Sequence, residues 1–551
     1  MITHGQRAYR QPLSNQSQAS RPAQLGGSTL VALGILISRI SGLARERALG
    51  HFFGVETVVA DAFRAAVRIP NLLSTLFGEG VLSASFVTVY AKLRAEKDEQ
   101  ASQALAASVF GILCIVSSAL ALAGILLAPV LTDFIAIGFT GAKRELTIQL
   151  VRVLFPGTGL LVLSAWCLGV LNSHRRFLLS YVAPVALNVT VIVALALFGS
   201  GAIPERLVID TAWAYVIGSA LQFLVQLPQV LRFLPGFRPA LDFASRGVRQ
   251  VLRNFGPIFL SRGVVQISAT VDQMIASLLP TGAVAALSCG QVISVLPVSL
   301  FSMSISAAQL PALSSAMGTD EEIATQLRTR LSAGLRRIAF LIIPSAVAFL
   351  LLGDVLAAAL YQSGRFHYTD ALDVWAVLAG SALGLLATSL GRLYSSTFYA
   401  LLDTRTPLRY AVLRVFLTIT LGYVAALWIP AWLGVERKWG VAGLTASAGI
   451  AGWVEFSLLR LALKKRIGAT PLPKNFAAKL WSSAFASGSI CFAIKSYLGH
   501  EHPILLALLV VPIYGAIYFW ASTTLGVDDA EKFLLPVIGR LARLRTRASA
   551  L

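Results

Sequence analysis

From about residue 28 to residue 525, long apolar runs alternate with short polar connections. A helix needs about twenty apolar residues to cross a bilayer. On that criterion the pattern predicts about fourteen spans, at roughly 28–49, 58–91, 104–134, 146–171, 178–200, 207–231, 248–280, 283–315, 330–361, 370–401, 408–432, 440–463, 476–498 and 503–525. Some runs exceed the bilayer thickness, which tilt or extension into water accommodates. The expected fold is therefore all-α and polytopic. Prolines and glycines inside the runs, such as Pro156, Gly157 and Gly159, are expected to mark bends.

The connections give the runs a direction. One side collects Lys92, Arg94 and Lys97, then Arg175 and Arg176, then Arg232, Arg238, Arg246, Arg249 and Arg253. It also takes Arg328, Arg330, Arg336, Arg337, Arg405 and Arg409, and the group Lys464, Lys465, Arg466 and Lys474. The other side holds few cations: Lys143, Arg144, Arg206, Arg365, Arg437 and Lys438. Basic loops stay in the cytoplasm, so both termini are expected there, as an even number of spans requires. Residues 1–27 read as a disordered cytoplasmic tail and 526–551 as a basic amphipathic tail on anionic lipid. Residues 232–247, with Pro235, Gly236 and Pro239, read as a cytoplasmic linker. It would divide an N-lobe of six spans (28–231) from a C-lobe of six (248–463), with two added spans in 464–525.

Composition supports the membrane and removes other classes. Of 551 residues, 56% are hydrophobic and only 13% charged, about half the charged share of a soluble domain. A net charge of +20 would suggest nucleic acid, but the cations lie in the loops between spans, so nucleic acid is not an expected partner. Cys114, Cys167, Cys289 and Cys491 are scattered through apolar runs, without disulfide or metal spacing. The six histidines lack ligand spacing too. No cofactor, metal site or catalytic group is expected, and the chain does not read as an enzyme.

Charges inside the first two runs are the informative exception. Arg39 and Arg45 follow an apolar run without a polar break, and the second run carries Asp61, Arg64, Arg68 and Glu79 around Pro70. Each charge costs about 2.5–3.5 kcal/mol to insert, so such residues face a bundle interior or a wet cavity. A cavity with a positive wall suits an anionic ligand, and arginine's planar fork suits phosphate. The competing expectation is that Arg39 and Arg45 pair with Glu46, Asp61 or Glu79 to lock helices together. Asp61 and Glu79 would then balance the arginines or cap a helix. Asp272 and Asp403 are candidates for a coupling-ion site, although Asp403, in Asp-Thr-Arg-Thr-Pro, also suits a helix cap. Gln222, Gln226 and Asn188 are expected to bond between helices.

The segments SRISGLARE, ADAF, RIPNLL, FGEGVLSASF, GVLNSHRRF, APVALN, LQFLVQLPQV, FGPIFL, LPALS, YQSGRF and FYALLDTRTP resemble, in that order, the MurJ/MviN-type lipid II flippases. These belong to the multidrug/oligosaccharidyl-lipid/polysaccharide exporter superfamily. The resemblance runs from about Leu30 to Arg409. It implies a V-shaped cavity between two six-helix lobes in the bacterial inner membrane. The implied activity is moving the undecaprenyl-pyrophosphate-linked peptidoglycan precursor from the inner to the outer leaflet, with membrane lipids and cell-wall synthesis proteins as partners. The family's first-helix arginines fall on Arg39 and Arg45. Its second-helix positions fall on Asp61, Arg68, Glu79 and Gly80. Two departures stand out. Ser74 replaces an arginine after the Pro-Asn pair, and Gln291, Val292 and Val295 replace the charges usual before Pro297. Arg64 and Arg262 are extra cations placed to substitute. Two alternatives stay open: a flippase for another lipid-linked saccharide, and a non-transporting scaffold for envelope synthesis.

Overall fold

The computed structural model describes residues 25–79, 81–306, 309, 319–401, 403–470, 472–499 and 502–530. The first-tail residues 1–24 and the last-tail residues 531–551 lie outside them. Among the described residues, fourteen long helices follow in order. They are α1 Leu25–Phe53, α2 Val58–Ser74, α3 Glu99–Leu126, α4 Gly141–Ser173, α5 Pro184–Phe198, α6 Pro204–Phe233 and α7 Arg246–Ser277. Then come α8 Ala283–Pro297, α9 Asp320–Tyr361, α10 Tyr368–Ala400, α11 Arg405–Leu427, α12 Gly440–Ile467, α13 Lys474–Leu498 and α14 Pro503–Thr524. Among the described residues there is no strand, only an isolated bridge from Ser363 to Phe366.

Among the described residues, ten helical tracts are long and apolar enough to cross a membrane. That is fewer than the fourteen expected, and the helices that do not qualify are α1, α2, α7 and α13. Of these, α2 is 17 residues long.

Local chemistry sets the starts. The Thr57 hydroxyl accepts from Ala60 N–H to begin α2, the Ser245 hydroxyl does the same for α7, and Thr319 with Glu322 forms a capping box on α9. Gly54 makes the turn from α1 to α2 at φ +67°, with the Arg365 carbonyl 2.8 Å from where a Cβ would stand. Only glycine fits there. In α2, Pro70 is followed by π turns at Thr75–Glu79 and Ser83–Val87. In α8, Pro297 is followed by one at Val298–Met303. Proline removes a helix bond, and π turns relieve the resulting mismatch.

Packing falls into two groups. The tightest neighbours in one are α4 with α6, α2 and α3, and α1 and α6 with α5; in the other they are α10 with α9 and α12, and α11 with α12 and α7. Gly157 and Gly159 serve close packing, against Ser219 and Ser117. The first group's core at the basic end includes Phe86, Leu105, Trp166 and Val170, and Val248 and Val251 of α7 belong to it. So α7 starts on the first group and ends in the second. The last two helices pack on α9. There the buried Lys495 ammonium lies 2.7 Å from Asp354, which also accepts from the Tyr368 hydroxyl. Pro344 denies the Phe340 carbonyl its helical donor, and the Tyr518 hydroxyl takes that place at 2.7 Å.

Candidate functional site

A cavity of about 860 Å³ lies between the groups. Its charged lining residues, Arg39, Arg45, Glu46, Arg64 and Arg68, all come from α1 and α2. The facing wall, from α7 and α8, offers Gln273, Ser288, Gln291, Val292, Val295 and Leu296. That wall is uncharged.

The arginines differ in their partners. Glu46, nearly buried, receives Arg45 at 2.8 Å and Arg64 at 2.7 Å. One carboxylate thus fixes two guanidiniums. Arg39 is exposed to the cavity and makes no hydrogen bond or ion pair among the described residues. The same holds for Arg68, whose Nε is buried and unpaired. Its charge is felt by Asp272 on α7, which also feels Arg414 on α11. Asp272 keeps one carboxylate oxygen unpaired. The cavity also has neutral donors and acceptors: Asn188 bonds Ser41 at 2.9 Å, and Tyr215 donates to Asn71 at 2.8 Å. Gln222 and Gln226 instead tie α6 to Ser164 of α4.

Asp61 stands apart from this cluster. Fully buried, it accepts from Lys143 at 2.6 Å, from Gly282 N–H at 2.9 Å and from Ala285 N–H at 2.8 Å. It therefore caps α8 from the other group, satisfying orphan amides and the positive helix end. Around it further contacts join the two groups. Gly138 N–H donates to Ser277, and Glu56 N–H to Asp370. The Lys438 ammonium lies 3.5 Å from Glu56 and 3.7 Å from Asp373. At the basic end the groups meet through rings, with Phe77 against Phe255 and Phe259.

The side chains of Glu79 and Arg262 lie outside the described residues. Asp403 accepts from Arg405 and Thr406 amides, from the Thr406 hydroxyl and from Arg466 at 2.6 Å. The Thr406 bonds, with Arg466 beside them, hold its carboxyl below the usual carboxylate range. It caps the start of α11 and is not among the cavity-lining residues. Sequence reasoning did not single out the Arg414–Glu455 pair at 3.2 Å. Nor did it single out Arg47, which donates to the carbonyls of Ala359 and Leu360. Both pairings join residues far apart in the chain, which no local pattern signals.

The sequence model of the family described as lipid II flippase MurJ matches residues 49–511. The chain belongs to the lipid II flippase MurJ family. It is 33% identical over 445 residues to lipid II flippase MurJ of Burkholderia cenocepacia, covering 80% of this chain and 83% of that protein. A probable lipid II flippase MurJ of Rhizobium tropici is 31% identical over 530 residues, covering 92% and 94%. Among solved structures, a MurJ in an inward closed conformation superposes with TM-score 0.75 at 22% identity, over 91% of this chain and 99% of that one. An inward-facing multidrug resistance MATE family transporter gives 0.62 at 18% identity, over 80% and 99%. At these identities the superpositions establish the fold. The protein is thus a multi-span, all-helical membrane protein of the MurJ family.

Proposed function

We propose that this protein carries lipid II from the inner to the outer leaflet of the bacterial cytoplasmic membrane by alternating access. The basic end and both termini lie in the cytoplasm, and the two helix groups are the moving lobes. The reading is carried by one observation: an interior cavity in a chain of this family presents four arginines against one glutamate, all on one wall. Arg39 and Arg68, without protein partners among the described residues, take the diphosphate. Arg45 and Arg64, held by Glu46, supply a fixed positive field behind it. Charge-assisted guanidinium–phosphate bonds are the strong kind. The saccharide and peptide of the headgroup face the neutral wall, and the polyprenyl tail stays in lipid.

Closure of the outer end depends on Asp61 and its cap on α8, which must break for the lobes to part. Asp272 acts here as the second lobe's counter-charge to Arg68. With Arg68 and Arg414 both nearby, it needs no bound cation to offset it. Asp403 serves as a helix cap.

The test is replacement of a resident lipid II flippase in cells depleted of it. The wild-type chain should restore growth and lipid II flipping. Arg39→Ala should not, at equal membrane abundance. A wild-type chain that inserts normally but restores neither would sink the transport reading in favour of a scaffold.

A further inference from the structure

Arg47 shares a helical turn with Arg45 and Glu46, but it does not line the cavity. Its guanidinium donates at 2.8 and 2.9 Å to the carbonyls of Ala359 and Leu360. These belong to the last turn of α9, which ends at Tyr361 and leaves such carbonyls without helical donors. A cation there also meets the negative end of the helix dipole. No carboxylate lies within ion-pair distance of Arg47 among the described residues. The contact is not isolated. Arg365 N–H donates to the His51 carbonyl at 2.8 Å, and a Cβ on Gly50 would stand 3.3 Å from Phe366. The end of α1 is docked, backbone to backbone, on the turn that follows α9.

We propose that Arg47 is a latch that couples ligand binding on one face of α1 to opening of the outer seam on another. The inference rests on the transport reading above. Asp61 fastens α8 to the first lobe with a negative charge at a helix start; Arg47 fastens α9 with a positive charge at a helix end. The second fastening is wired to the site, because residues 45, 46 and 47 are consecutive on one rigid turn. A diphosphate that draws Arg45 away from Glu46 rolls or shifts this turn. Arg47 then leaves its two carbonyls, since a packed helix moves as a unit rather than deforming continuously. Ligand binding thereby weakens the closed state by the latch contribution, which is the differential stabilisation that a population shift requires.

The experiment reads outer opening directly and needs no flipping. In a background with the four native cysteines replaced by alanine, Ser288→Cys places a reporter in the cavity wall. A membrane-impermeant maleimide is applied from the outer face. Arg47→Ala should raise the labelling rate about tenfold over the parent, and Arg47→Lys by less. Where Arg47→Ala fails to accumulate, Arg47→Gln, which keeps a polar stem but neither the charge nor the reach of the guanidinium, replaces it. Parental labelling per molecule in these variants, with or without lowered abundance, would overturn the latch. Adding a polyprenyl diphosphate should raise labelling in the parent and add little in Arg47→Ala. A full added increment in that variant would overturn the coupling while leaving the transport reading untouched, since lipid II flipping is measured separately.

Discussion

The two walls of the cavity are made of the same kind of element, yet they treat charge in opposite ways. In the first wall, α1 and α2 present four arginines and a glutamate inward. In the second, α7 and α8 present amides, a hydroxyl and aliphatic groups. The second lobe has charges of its own, but none lines this wall: Arg414 holds Glu455, Lys495 holds Asp354, and Lys438 reaches across to Glu56. The contrast teaches that the positive field comes from one side. An anion held by one wall can be released as the other moves away, whereas an anion clamped by both would bind the lobes together.

The largest effect should come from the residue that organises the charged wall. Glu46→Ala leaves Arg45 and Arg64 without their counter-charge. Breaking one partner out of a buried ion pair costs about 3–5 kcal/mol, so a clear loss of thermal stability in detergent is expected. An unchanged melting temperature would mean the arginines repartner, and the wall is less fixed than described. Next come Arg39→Ala and Arg68→Ala. Each should lose about 1.5–3 kcal/mol of diphosphate binding, a weakening of about tenfold or more, at normal abundance. Lysine should restore part of it, because the charge returns without the fork. Equal binding by both alanine variants and the parent would remove the clamp.

Adding charge to the neutral wall tests the asymmetry from the other direction. Val292→Arg should tighten binding of a polyprenyl diphosphate by about tenfold while slowing turnover, since release then requires two walls to let go. Faster turnover in that variant would show that one-sidedness has no role. The smallest change belongs to Gln291→Ala. A neutral hydrogen bond contributes about 0.5–1.5 kcal/mol, so at most a several-fold weakening is expected, seen with the saccharide-bearing lipid and absent with the bare diphosphate. A loss comparable to that of Arg39→Ala would erase the distinction between the walls.

Much of the first wall was legible in the sequence. Arg39 and Arg68 interrupt apolar runs, and the cost of a charge in lipid is enough to turn them inward. The helical architecture was legible in the apolar runs themselves, ten of which are long and apolar enough to cross a membrane among the described residues. What sequence periodicity could not supply is which charge meets which. Asp61 read equally well as part of the cavity, and only folding brings the start of α8, more than two hundred residues later, to its carboxylate. Arg47 carries no local signal at all; its role depends on the last turn of α9, more than three hundred residues later. Asp403 is the opposite case: its cap partners are within three residues, so local sequence carried the reading.

The ion pair between Asp354 and Lys495 has a consequence for how the protein is made. A membrane chain is inserted as it is synthesised, so α9 enters the bilayer with its carboxylate long before α13 has been translated. Until then Asp354 has the Tyr368 hydroxyl at hand and no cation. A ribosome that stalls or a chain that is cut between residues 361 and 495 releases a protein with twelve helices or fewer and a lone acid in its second lobe. The final two helices lie away from the cavity lining, yet completing α9 electrically depends on them.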